Sequence, residues 1–111
     1  MLVTKLWLSF DLGTLGDYEG LFGWLDDRGA QECGRSVAAL TFEYADDPFR
    51  ELSEEIERVV TLDRQSRIYV VLRDQHTNKT VGRFIKGRRK QAPWTGYGTR
   101  SLPQDDYDEA V

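Results

Sequence analysis

The chain has 111 residues, 40% of them hydrophobic and 31% charged, and a formal net charge of −4, which predicts one globular domain and excludes a disordered or fibrous protein. Its apolar runs are too short to cross a bilayer, and the first five residues lack the features of a secretory signal. One cysteine and one histidine exclude an internal disulfide, a cysteine-based zinc cluster and a site of several imidazoles, so a reducing cytoplasm is expected.

The first predicted element is a strand over residues 3–10. Its alternation places Leu6, Leu8 and Phe10 on one face and Trp7 on the other. Asp11 follows at once and is expected to lie just past the strand end.

A helix is predicted next, because Asp17 can cap it and Gly29 can stop it. Apolar residues recur within it at i, i+3, i+4 and i+7. They are Tyr18, Leu21, Phe22 and Leu25.

Two strands follow, over 30–33 and 36–44, joined by a tight turn with Gly34 at its first central position. Cys33 lies in the first of them without a second thiol, which favours a buried structural cysteine over a nucleophile.

Asp47 and Pro48 are typical of a helix start, aspartate as the cap and proline in the first turn. The apolar stripe of this second helix consists of Phe49, Leu52, Ile56, Val59 and Val60. A central strand over 67–72 and a last strand near 80–86 complete a domain at residues 1–86. His76 lies in the polar loop between them and is expected to be exposed. Residues 87–111 show no hydrophobic periodicity, which predicts an extended or partly disordered tail.

The order is therefore βαββαβ with one added strand, which predicts an α+β protein whose antiparallel sheet carries both helices on one face. The other face is too apolar to be left in water on so small a domain. A twofold homodimer is the simplest way to cover it. The predicted interface residues are Trp7, Val37, Ala39, Tyr69 and Val71.

Charge is segregated along the chain. Residues 79–100 carry seven basic and no acidic side chains, whereas residues 1–78 carry eight basic and fifteen acidic ones, and residues 101–111 add four acidic ones. The basic stretch is either a binding arm for a polyanion or an acidic protein surface, or it folds back onto its own acidic core.

The segment at residues 86–98 interleaves cations with aromatic residues. Arg88, Arg89 and Lys90 would meet phosphates, while unpaired bases would stack on Trp94 and Tyr97. The same two rings would equally anchor the tail to the apolar sheet face of a partner subunit. Nucleic acid, a protein or intramolecular partner, and no role at all are the three interpretations.

Asp11 is the candidate for chemistry. A carboxylate held at a strand end suits Mg²⁺ or Mn²⁺, and two copies in a twofold dimer would share one ion. The alternative is a turn in which Asp11 accepts hydrogen bonds from loop amides.

A resemblance to a known superfamily rests on several segments of the chain. They are residues 5–12 (KLWLSFDL) and 16–21 (GDYEGL), a helix ending at Gly29, a third strand entered at Ser36-Val37 and an apolar strand at 67–72. Over roughly residues 3–85 the chain resembles the ferredoxin-like superfamily that includes the smaller CRISPR adaptation protein, the VapD ribonuclease toxins and the GhoS antitoxin ribonuclease. It is also similar to small proteins of that superfamily from phage and mobile elements.

The resemblance implies a ferredoxin-like sandwich, a homodimer and, in some members, metal-dependent cleavage of RNA or DNA. Asp11 matches the aspartate that ends the first strand, and it is the single site residue carried over. No second acidic residue is placed beside it by the pattern, and several members bind without catalysis. The functional prediction is a nucleic-acid-binding or nuclease-like protein. The alternative is a non-enzymatic protein-binding module, such as an antitoxin, immunity or inhibitor protein, which the overall acidity favours.

Overall fold

A five-stranded antiparallel sheet frames the molecule in the computed structural model, which describes residues 1–99. The strands are β1 (Leu2–Asp11), β2 (Gln31–Gly34), β3 (Val37–Tyr44), β4 (Arg67–Asp74) and β5 (Lys79–Lys86), and the helices are α1 (Tyr18–Asp27) and α2 (Pro48–Val59). The sheet order is β2-β3-β1-β4-β5, and each neighbouring pair runs antiparallel. The predicted α+β class is confirmed.

The core lies between the two helices and one face of the sheet. Along β1 every second residue is buried, so Leu6 and Leu8 are fully covered while Lys5 and Ser9 on the other face are exposed. Leu21 of α1, Leu52 and Ile56 of α2 belong to the same apolar cluster. Burial of this face is the main favourable term in folding, and it leaves the opposite face of the sheet without a helix.

Both helices begin where their caps predict. The Asp17 carboxylate accepts hydrogen bonds from the backbone N–H of Gly20 at 2.9 Å and of Thr61 at 2.8 Å, which ties the start of α1 to the chain after α2. The pKa of Asp17 is held below its ordinary value by these bonds, the one from Thr61 first.

The second cap is a doubled arrangement around the start of α2. The Asp47 carboxylate accepts from the N–H of Phe49 and Arg50. Glu51 reaches back to accept from the N–H of Ala45, Asp46 and Asp47, at 2.7 to 2.8 Å. These bonds, led by the one from Ala45, hold the pKa of Glu51 below its ordinary value.

Three local predictions are wrong, and in the first two the tertiary surroundings decide the burial. Phe22 is 51% exposed, and Trp24 is buried in its place because its Nε1 donates to Glu55 of α2 at 2.8 Å. Cys33 is exposed, not buried, because β2 is a short edge strand that lies outside the helix-covered face. The turn between β2 and β3 consists of Arg35 and Ser36, with Gly34 still in the strand.

The open face of the sheet carries the predicted interface residues in one patch. Trp7 is 44% exposed and lies in register between Ala39 of β3 and Val71 of β4. Val71, Val37 and Tyr69 are half-buried. The predicted interface is corrected at Ala39, which is only 3% exposed because it lies within the sheet between Trp7 of β1 and Gln31 of β2. Within residues 1–99, no helix is long and apolar enough to span a membrane.

Candidate nucleic-acid interface

A basic groove of about 600 Å³ lies where the start of β4 meets the end of β5. Antiparallel pairing places Ile68 opposite Lys86, so the chain entering β4 lies beside the chain leaving β5. The groove is lined by Arg64, Arg67, Gly87, Arg88, Arg89 and Lys90. Cations from two separate stretches of sequence, 64–67 and 88–90, therefore line one groove.

Gly87 shapes the bend that places residues 88–90 beside the start of β4. Its φ of +76° lies in the left-handed region that favours glycine, and a Cβ there would be 2.7 Å from the Ser66 carbonyl oxygen. Beyond this turn, Arg67 Nη1 donates to the Arg88 carbonyl oxygen at 3.3 Å. The stretch that follows β5 is thus tied to β4 through its backbone.

Phe84 of β5 supports two of the groove arginines. The guanidinium carbons of Arg67 and Arg89 lie 5.9 and 5.8 Å from the centre of its ring. Tyr69 packs edge-on to the other part of that ring, with 4.8 Å between ring centres. Cation–π contacts of this kind restrict the positions of the two guanidinium groups.

The electrostatics of the groove favour an anion with several charges. None of its six lining residues is acidic, and five carry a positive charge. Cations that line one groove repel one another and together attract a polyanion, over a range set by the Debye length of about 8 Å at physiological salt. Arg and Lys are the side chains that most often bind phosphate.

The structure places Arg88, Arg89 and Lys90, for which phosphate contacts were predicted, in one groove with Arg64 and Arg67, which the sequence analysis missed. Arg64 follows Asp63 in a loop and Arg67 begins a buried apolar strand, so neither belongs to a run of basic residues that would single it out. The signal was spatial: pairing the two last strands as a hairpin would have placed Arg67 beside the basic stretch.

Asp11 is the last residue of β1 rather than a loop residue, because it pairs in register with Arg67 of β4. One of its carboxylate oxygens accepts a hydrogen bond from the Gly13 N–H at 3.0 Å, which is the turn arrangement considered as the alternative. Asp11 is thus at the same sheet end as the basic groove.

The donor set around Asp11 was tested for a divalent metal. Among residues 1–99 no group of three or more His, Cys, Asp or Glu side chains is placed to hold an ion. Mg²⁺ is usually held by one or two carboxylates together with water and phosphate oxygens, so a single chain brings too little here to define a site. A role for Asp11 in catalysis stays a prediction.

His76 is exposed, as predicted, but it lies in the connection between β4 and β5. That connection is at the opposite end of these strands from Asp11 and the groove. The structure therefore does not bring His76 to the candidate site.

Trp94 and Tyr97 follow Lys90 by four and seven residues and are 73% and 87% exposed. Neither ring is packed into the sheet face of its own chain. The acidic end of the tail, with its four carboxylates, lies outside the described residues. Residues 87–90 lie beside Arg64 and Arg67, which are basic, whereas Lys79 is opposite Asp74 and Lys86 shares a cleft with Glu57.

Comparison with known proteins adds no family. No protein-family model, curated protein or solved structure matches the chain. Function is therefore inferred from the residues and their geometry.

Proposed function

We propose that this chain is a nucleic-acid-binding protein that holds a phosphate chain in the basic groove. The observation that carries the proposal is the convergence of Arg64, Arg67, Arg88, Arg89 and Lys90 on one groove without an acidic lining residue. A lone phosphate needs one or two such donors, whereas five arranged along a groove suit a repeating anion. Trp94 and Tyr97 follow Lys90 along the chain and offer exposed aromatic surface.

The sheet supports a ferredoxin-like arrangement as part of the same proposal. Its order β2-β3-β1-β4, with both helices on one face, is the order expected for a βαββαβ sandwich, and β5 is added at the edge beside β4. Kinship with the superfamily of the smaller CRISPR adaptation protein and the VapD and GhoS ribonucleases is proposed on the same basis.

We propose in addition that two copies pair through the open sheet face. Trp7 is 44% exposed there and has half-buried apolar neighbours, including Val71 and Tyr69. Strand alternation puts Asp11 on the same face as Trp7, so pairing of that face would bring two Asp11 carboxylates toward each other.

A second candidate function is a protein-binding module, and the same open face favours it. An apolar patch around Trp7 serves a different protein as well as a second copy, and the net charge of −4 is unusual for a duplex binder. The two candidates differ in which surface is used: the groove for nucleic acid, the open face for protein.

The salt dependence of binding tests the groove. If all five cations contact phosphates, the slope of log K against log salt on a single strand is about −3.5, since each contact contributes about −0.7. Affinity for a labelled single strand of about 12 nucleotides should then fall about 100-fold between 50 and 200 mM salt. Substituting Arg88, Arg89 and Lys90 together with alanine should reduce the magnitude of the slope by about 2.

A matched control removes the same charge elsewhere. Lys5, Arg35 and Lys79 are exposed cations outside the groove, and their triple alanine variant has the same net charge as the groove variant. It should keep most of the slope. Equal slopes in the two variants would mean that net charge alone drives binding, and no binding of single- or double-stranded DNA or RNA by the wild type would overturn the proposal.

A further inference from the structure

Two overlapping turns present Trp94 and Tyr97 beyond the groove. The N–H of Thr95 donates to the Ala92 carbonyl oxygen at 3.1 Å, and the N–H of Tyr97 donates to the Trp94 carbonyl oxygen at 3.0 Å. Pro93 occupies the second position of the first turn, where its fixed φ is favourable.

The second turn depends on Gly96. It occupies the third position with a φ of +89°, while Thr95 before it has a negative φ, which is the pattern of a type II turn. A β-turn holds the Cα atoms of its first and last residues within about 7 Å. Trp94 and Tyr97 are those two residues, and both rings are mostly exposed.

This spacing suits an aromatic guest. Stacked bases lie about 3.4 Å apart, so a base inserted between two rings needs the rings about 7 Å apart. The turn brings the α-carbons of Trp94 and Tyr97 within about 7 Å, which allows their rings to flank one base. Lys90, at the near end of the segment, lines the groove where the phosphates would run. A base held in a duplex has both faces covered by its neighbours and does not enter such a gap.

We propose that the Trp94–Tyr97 turn clamps one unpaired base, which makes the ligand of the groove a single-stranded nucleic acid. The inference rests on the proposed function, because the groove supplies the phosphate contacts that bring a base to the turn. Gly96 is a positioning residue: it allows the turn and touches no base.

The test separates bases from phosphates. Two probes of equal length and charge are compared by fluorescence anisotropy, a single-stranded oligothymidylate and the corresponding abasic phosphodiester chain. Stacking on aromatic side chains should make the wild type bind the first at least fivefold more tightly. Trp94→Ala and Tyr97→Ala should each bring this ratio toward one and leave the affinity for the abasic chain within twofold. Trp94→Phe should retain part of the ratio.

Alanine variants of two glycines, Gly96 and Gly98, form a matched pair that tests the turn. A Cβ at Gly96 or at Gly98 meets no atom within 4 Å, but Gly96 alone of the two has a positive φ. Gly96→Ala should therefore lose the ratio with both rings still present, Gly98→Ala should keep it, and Gly96→Asn should restore part of it because asparagine tolerates positive φ.

The outcomes separate the two proposals. Failure of the wild type to bind even the abasic chain would overturn the proposed function and the clamp with it. Equal binding of the two probes by the wild type, or a ratio unchanged in Trp94→Ala and Tyr97→Ala, would overturn the clamp while leaving the groove. A ratio lost in Trp94→Ala but kept in Gly96→Ala would overturn the turn geometry. An equally tight complex with the duplex form of the thymidylate probe would overturn the single-strand assignment.

Discussion

Replacing Gly87 with alanine should destabilise the protein and also separate the cations that line the groove. Gly87 joins β5 to residues 88–90. A Cβ at position 87 would lie 2.7 Å from the Ser66 carbonyl oxygen and 2.9 Å from Arg67 Cγ. Ser66 is buried directly before β4, where its backbone has little freedom to withdraw, so the chain after β5 must move instead. Such a movement would separate Arg88 from Arg67, whose Nη1 donates to the Arg88 carbonyl.

The magnitude has two parts. A residue with a Cβ in the left-handed region costs roughly 1–2 kcal/mol. Overpacking against the Ser66 carbonyl adds roughly 1–2 kcal/mol more. A total of about 2–4 kcal/mol corresponds to a decrease in Tm of about 10–30 °C for a domain of this size, at about 4–8 °C per kcal/mol.

Two other glycines separate the contributions. Gly29 has a φ of +65° but its Cβ would meet nothing within 4 Å, so Gly29→Ala reports the backbone cost alone, about 4–15 °C. Gly98 has neither feature, so Gly98→Ala should change Tm by no more than about 3 °C. Thermal unfolding followed by circular dichroism ranks the three variants, and oligonucleotide affinity is measured well below each Tm.

Equal Tm values for Gly87→Ala and Gly29→Ala would contradict the prediction, since the contact with Ser66 would then cost nothing. Equally tight oligonucleotide binding by folded Gly87→Ala and Gly29→Ala would show that the groove does not depend on Gly87.

The remaining predictions concern the open face, the strand-end carboxylate and the caps. Trp7→Asp should convert a dimer into a monomer of 12.8 kDa in light scattering, because a charge would be buried in the proposed interface, and an unchanged dimer mass would contradict that pairing. Cleavage of RNA or DNA that requires Mg²⁺ or Mn²⁺ should be lost in Asp11→Ala and kept in Asp26→Ala, whereas no cleavage by the wild type would show the nuclease prediction to be wrong. Because the pKa values of Asp17 and Glu51 are lowered in the folded state, their stabilisation is present above the ordinary carboxyl pKa of about 4 and is lost as the pH falls through the lower folded values. The double variant Asp17→Asn, Glu51→Gln should therefore show a flatter dependence of Tm on pH below 5 than the wild type, and parallel curves would contradict the assignment.

Local structure could be predicted directly from the sequence. Both helices begin at the predicted caps, Asp17 and Asp47, because capping depends on residues within one turn of each other. The alternation along β1 identified its buried face, because a strand has a period of two and one side is covered. The α+β class followed from the order of these elements.

Tertiary structure decided what depends on partners far apart in sequence. Trp24 is buried instead of Phe22 because Glu55 of another helix accepts its N–H, and no period within α1 contains that information. The groove likewise exists because antiparallel pairing places Arg67 beside Gly87 and Arg88, twenty or so residues later. The sequence by itself determined the caps, the periodicities and the basic stretch, since these are short-range properties of the backbone and side chains. Only the pairing of β4 with β5 decided that five cations share one space, because strand pairing is a non-local interaction that the pattern of a single strand does not encode.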